Sequence, residues 1–150
     1  MALKPDRIET QTDVSFFSDA TATRGGVASV KTAGSGVSMD DSSAVVEYTS
    51  ALASANPVGI LLNDIVDLDL TRQHINYHKD EVQKGGKVTL LQVGQITTSN
   101  LDTGAVPSAG SGAFVHNNGN ISTSGGGARV GTFLSSKDSD GFAKVAINIA

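Results

Sequence analysis

The chain has no cysteine and no tryptophan, only three prolines, and aromatic residues make up 5% of its 150 positions. Without cysteine there is no disulfide framework and no thiolate metal site, so the redox compartment is left open. No apolar run reaches membrane-spanning length, and the N-terminus lacks the apolar core of a signal peptide. Net charge is −4, and no basic cluster is visible, so nucleic acid is not expected as the partner. Catalytic signatures are equally scarce. Gly86-Lys87 lacks the upstream glycine of a phosphate loop, and Val88 stands where it needs Ser or Thr. There is no Gly-x-Ser-x-Gly elbow. An enzyme is therefore not expected, and no cofactor is implied.

What the chain does contain is glycine, 17 residues of it, with abundant Ser and Thr between short Val/Ile/Leu runs. That texture fits many short strands joined by tight turns. The clearest stretch runs from Ala109 to Ile149. Phe142 to Ile149 alternates, with Ala143, Val145, Ile147 and Ile149 on one face and Lys144 and Asn148 on the other, the period of a half-buried strand. Asn118-Gly119 and Asp140-Gly141 are hairpin turn signals. Further strands are expected at Val58–Leu62, Ile65–Leu70, Val88–Val93 and Val130–Leu134, with Gln95 to Thr98 turning back after Gly94 as a hairpin partner. Val145, Ile147, Leu61 and Leu90 are candidate core residues. The reading is all-β: about nine short strands in an antiparallel sandwich or barrel.

An internal echo suggests two related halves. Ala33-Gly34-Ser35-Gly36 matches Ala109-Gly110-Ser111-Gly112, and Val58-Gly59-Ile60-Leu61-Leu62 follows the pattern of Val130-Gly131-Thr132-Phe133-Leu134. Residues 1–24 look different. They are polar and without sustained period, and are read as an extended N-terminal arm ahead of a single β-rich domain at 25–150. Phe16 and Phe17 on this arm are candidate anchors into a partner, with Arg24 at the junction; the alternative is that both rings cap the chain's own core.

Other constellations carry little. His74 and His78 are four apart and could share a metal with His116 or Asp64, but solvated loop histidines are the expected reading. Asp64, Asp67 and Asp69 have no partner base and read as wet strand positions. Ser136 to Gly141 resembles half of a calcium loop, yet Ile147 occupies the place of the bidentate acid, so a hairpin turn is expected instead. Asn120-Ile121-Ser122 is a glycosylation sequon by pattern only.

The run from Pro57 to Gln73, then Asn76 to Val82 and Gly85 to Leu90, followed by the Asn-Gly hairpin, the Gly-rich loop and the Val-Gly and Asp-Gly strands, resembles the capsid decoration (cement) proteins of tailed bacteriophages. The likeness covers residues 25 to 149 and rests on element order and texture. It implies a small β-rich virion protein on the outer surface of the capsid. Such a protein binds the major capsid protein, reinforces joints between its subunits and forms a homo-oligomer. The competing class is a receptor- or carbohydrate-binding module of a phage fibre or spike. That class needs an exposed aromatic platform, for which only Tyr48 and Tyr77 are available.

Overall fold

The computed structural model describes residues 2–32, 44–49, 55–67 and 81–149. Among these the chain forms β1 (Ile8–Asp13), β2 (Phe17–Ser18), β3 (Val27–Thr32), β4 (Val45–Glu47), β5 (Pro57–Leu61), β6 (Asp64–Val66), β7 (Glu81–Gln83), β8 (Leu90–Thr98), β9 (Gly112–Val115), β10 (Ile121–Ser122), β11 (Arg129–Phe133) and β12 (Ala143–Asn148). The all-β reading holds. Nine strands run in the order β10-β9-β11-β12-β8-β5-β3-β4-β2, β1 lies along β8, and β6 pairs with β7. Pairing is antiparallel except for β2–β4 and β6–β7, which are parallel. The sheet is therefore mixed and open rather than a closed antiparallel barrel. His74, His78, Tyr77, Asp69 and the Ala33–Gly36 copy of the echo lie outside the described residues.

Turn chemistry sets the hairpins. Asn118 and Gly119 both take positive φ, 57° and 75°, and the Asn120 N–H donates to the Asn117 carbonyl at 3.1 Å. That is the type I′ geometry Asn-Gly favours, and it returns β9 into β10. At the other hairpin Asp138 closes the turn between β11 and β12. One carboxylate oxygen accepts the N–H groups of Asp140 at 2.9 Å and Phe142 at 2.8 Å. The Phe142 N–H is the main reason the Asp138 carboxyl sits below its ordinary range.

The two halves are related strand by strand. Outward from the central β12–β8 pair, the orders β12-β11-β9-β10 and β8-β5-β3-β4 correspond. Ala28 faces Gly59 as Ala113 faces Gly131, and Val27 faces Ile60 as Gly112 faces Thr132. A one-residue bulge then skips Val58 in one half and Val130 in the other, so that Ser29 meets Pro57 and Phe114 meets Arg129. Val30 pairs with Val46 as Val115 pairs with Ile121, and Leu61 with Leu90 as Phe133 with Val145. Flanking bonds repeat too. Gly25 N–H donates to the Leu61 carbonyl at 2.8 Å, and Gly110 N–H to the Phe133 carbonyl at 2.8 Å. Leu62 N–H reaches Thr89 at 3.0 Å, and Leu134 N–H reaches Lys144 at 2.8 Å. The Val-Gly match thus falls in the register expected. The Ala-Gly-Ser-Gly match does not: the fold sets Ala109-Gly110-Ser111-Gly112 against Arg24-Gly25-Gly26-Val27. Positions that share backbone geometry, not identical letters, define the repeat.

Gly59 and Gly131 explain one constraint both halves share. A Cβ on Gly131 would overlap the Ala146 carbonyl oxygen, and one on Gly59 would lie 3.0 Å from the equivalent oxygen, that of Leu91. Strands approach this closely only with no side chain in between. Gly131→Ala is expected to cost about 1–3 kcal/mol, the range for overpacking. Urea unfolding of the variant checks this; an unshifted midpoint would mean the approach is not as close as described.

Burial follows the repeat. In the first half Ala28, Val46, Leu61 and Leu90 form one core layer with Ile65 and Val88, joined by Phe16, Tyr48 and Val82. Their counterparts Ala113, Ile121, Phe133 and Val145 lie in a larger core. That core also takes Val27, Ile60, Leu62 and Leu91, from the opposite face of the first half. The first half is therefore buried on both faces, and the second on one. β8 passes between the layers. Leu91 and Ile96 enter the same core although five positions apart, which strict alternation forbids, so the strand changes face between them. Gly94, where a hairpin was expected, sits at this irregularity with the Ile8 carbonyl against its Cα. The expected hairpin is one strand continuing through a bulge, because β1 and β12 supply partners on both sides of Gly94.

Candidate functional site

The three residues expected to contact a partner are Phe16, Phe17 and Arg24. Phe16 is half-buried and packs on the first-half core, and its carbonyl accepts the Val88 N–H at 3.0 Å. Phe17 opens β2, pairs with Val45 and donates its N–H to the Ala44 carbonyl at 3.0 Å. The Lys87 ammonium stands 5.5 Å from the centre of its ring. Arg24 donates its backbone N–H to the Asp64 carboxylate at 2.9 Å, and its guanidinium lies 4.0 Å from the same oxygen. All three are engaged by the chain itself.

The N-terminal segment from residue 2 behaves this way. It is extended, as expected, but it is not a separate arm. Leu3 is 1% exposed and belongs to the large core. Lys4 N–H donates to the Thr97 carbonyl at 2.9 Å, Ser99 N–H to the Ala2 carbonyl at 2.8 Å, and β1 follows β8 from Gln95 to Leu90. The cost of ordering these residues is met by pairing within the chain, so no partner is required to hold them in place. The division at residue 24 does not correspond to a gap in packing.

Tyr48, which the sequence offered only as a candidate platform aromatic, is a structural clamp. Its hydroxyl donates to the Thr23 carbonyl and accepts the Gly26 N–H at 3.0 Å. Burial pushes its phenol pKa well above the ordinary value. The ring lies against Gly119, at the tip of the Asn-Gly turn, and Asn118 N–H donates to the Thr49 carbonyl at 2.9 Å. One aromatic thus ties the first half to the hairpin of the second. The pairing of a glycine tip with a distant tyrosine is a tertiary contact and leaves no local sequence signal. Tyr48→Phe leaves the Gly26 N–H without its acceptor and is expected to cost about 1–3 kcal/mol. Chemical denaturation measures it; wild-type stability would show that the bond contributes nothing net.

Among the described residues no three His, Asp or Glu side chains gather as a metal site. His116 lies 3.4 Å from the Asp102 carboxylate, and Asp64 is engaged by Arg24. Asp67 is exposed, 3.9 Å from the Lys84 ammonium. A shallow pocket is bordered mostly by Ala28, Val46, Tyr48, Leu61 and Ile65, with Ser18, Thr21 and Glu47 also on its lining. The Tyr48 hydroxyl is committed to Thr23 and Gly26, and the Glu47 carboxylate lies 3.7 Å from the Lys31 ammonium.

The surface offers more. Ile8 and Val14 are 56% and 57% exposed, Val106 84% and Leu134 39%. Ile8 shares one side of the sheet with the uncovered face of the second half, because direct cross-strand partners point the same way. Ile8 faces Gln95, Gln95 faces Ala146, Ala146 faces Thr132 and Thr132 faces Gly112. The result is a broad, shallow face five strands wide.

Among the described residues, these features define an all-β protein of two related halves with a broad open sheet face. Compared with models of known protein families and with curated proteins, the chain matches none.

Proposed function

We propose that this chain is a structural virion protein that binds the outer surface of a tailed-phage capsid and reinforces joints between major capsid subunits, acting as a homo-oligomer. The reading begins from the resemblance in element order between residues 25 and 149. The observation that carries it furthest is the combination of a doubly layered β body with a wide, shallow open face. Such a face suits contact spread over another protein's surface better than the enclosure of a small substrate. Reinforcement needs no catalysis. A protein that binds the assembled shell and not its free subunits stabilises the shell by mass action, and linked copies add avidity.

The fibre or spike reading asks for an exposed aromatic platform. Tyr48 is committed between Gly26 and Gly119, which weighs against it. The test is co-sedimentation of the purified chain with heads that lack it, beside unassembled capsid subunits. Saturable binding to heads, with none to free subunits, is expected. Binding to neither would reject the proposal, and retention on an immobilised glycan array instead would favour the fibre reading.

A further inference from the structure

The repeat makes one comparison possible that a single sheet would not. Each face of the second half has a counterpart in the first whose partner is known. The counterparts of Gly112, Thr132, Ala146 and Leu134 are Val27, Ile60, Leu91 and Leu62, by the shared register. In the first half these four are 0–4% exposed, pressed onto the core of the second. In the second half the large aliphatics are replaced by Gly, Thr and Ala, which are partly exposed, and Leu134 is 39% exposed. The geometry that receives a packed layer in one half stands open in the other.

Its chemistry is not that of an ordinary wet face. The Phe114 ring lies across Gly112, whose added Cβ would meet it at 2.9 Å. Arg129 reaches the same place, donating to the Thr132 hydroxyl at 3.1 Å and the Gly131 carbonyl at 3.2 Å. Lys144, opposite Thr97, adds a second cation on this side. The cross-strand rows through Ile8 and through Thr97 carry no Asp or Glu, although the chain holds 15 acidic residues against 11 basic ones. At the rim Asp138 has its carboxylate held by two backbone N–H groups, with Lys4 3.8 Å away. The face is thus apolar in patches and positive, on a negative molecule.

We infer that this open face of the second repeat is the docking surface, and that its occupant is a flat, acidic patch on an assembled protein shell. The inference rests on the function proposed above and names the surface that performs it. Charge selects the partner. A second copy presenting the same face would set Arg129 and Lys144 against their own equivalents, and a like-charged juxtaposition is unfavourable. An acidic patch meets both cations, while Ile8, Phe114 and Leu134 supply apolar contact. The small residues between them let a broad surface approach closely.

The test uses the full-length chain and heads lacking it. Three variants are compared with wild type: Arg129→Glu/Lys144→Glu, the neutral Arg129→Gln/Lys144→Gln, and Ala146→Glu. Lys31→Glu, on an exposed side chain paired with Asp19 and away from the face, is the control. Circular dichroism and melting establish that each is folded. The double Glu variant is expected to lose at least tenfold in affinity for heads, the Gln variant less, and the control nothing. Wild-type binding is expected to weaken steeply with added salt, because exposed charges are screened within about 8–10 Å at 0.1–0.15 M ionic strength. Wild type binding heads with all face variants unchanged would overturn the docking face and leave the shell function standing. Salt-independent binding would overturn the acidic partner. Wild type failing to bind heads would reject the shell function itself, and the docking face with it.

Discussion

Removing residues 2–18 is expected to unfold the protein rather than to release a docking arm. Leu3 fills the large core at 1% exposure, and full burial of such a side chain contributes about 1.5–3 kcal/mol before any cavity is counted. Its loss also opens space beside Thr98, whose single hydroxyl proton has the Gly25 carbonyl at 2.9 Å and the Ala2 carbonyl at 3.1 Å as acceptors. Truncation strips backbone partners from both ends of the sheet: Ser99 N–H from Ala2, Val88 N–H from Phe16, and the Ser18 pair with Gly85 and Gly86. Each buried group left unsatisfied costs about 1–3 kcal/mol. Domains of this size are stable by about 5–15 kcal/mol, so several such losses together remove most of the margin. Circular dichroism and thermal melting of the truncated chain give the answer. A sharp melt near that of the full chain would restore the arm as a separate unit.

Ile147→Asp is the point substitution with the largest expected effect. Ile147 is 2% exposed, in β12, among Val145, Phe133 and Val130. Its register partners Gly131 and Gly94 present only backbone. A carboxylate there would sit in an apolar layer, and an uncompensated buried charge costs about 3–5 kcal/mol. The cost should fall at low pH. Burial raises the carboxyl's folded-state pKa above its unfolded value, so the variant regains stability as pH drops through that raised value. A melting temperature equal to wild type at neutral pH would mean that Ile147 faces solvent. Equal destabilisation at pH 4 and pH 8 would mean that lost packing, not charge, is the cause.

β12 was legible because its alternation is local: each second residue is apolar, and the strand lies between two partners with one face buried. The same holds for Leu61 and Leu90 and for both hairpins, where Asn118-Gly119 and Asp140-Gly141 act within a few residues. β1 was not legible. Ile-Glu-Thr-Gln-Thr-Asp has no buried face to impose a period, and its six positions are mostly exposed. Backbone pairing to a strand some eighty residues away makes it a strand, and the side chains do not record that. The repeat was half legible for a related reason. Val58-Gly59 and Val130-Gly131 share a close backbone approach that demands glycine, so the letters persist. Elsewhere only the register persists, while Val27, Ile60 and Leu91 have Gly112, Thr132 and Ala146 as counterparts. The open face was invisible until register placed Ile8, Gln95, Ala146 and Thr132 side by side.

Whether binding strengthens a shell, as proposed, is measured by heating. Heads lacking this protein are incubated with increasing amounts of the purified chain and warmed, and genome release is followed with a dye that cannot enter intact heads. The release temperature is expected to rise with added protein and to saturate once the sites are filled, with Arg129→Glu/Lys144→Glu giving little or no rise. A release temperature unmoved by saturating wild-type protein would contradict the proposed reinforcement.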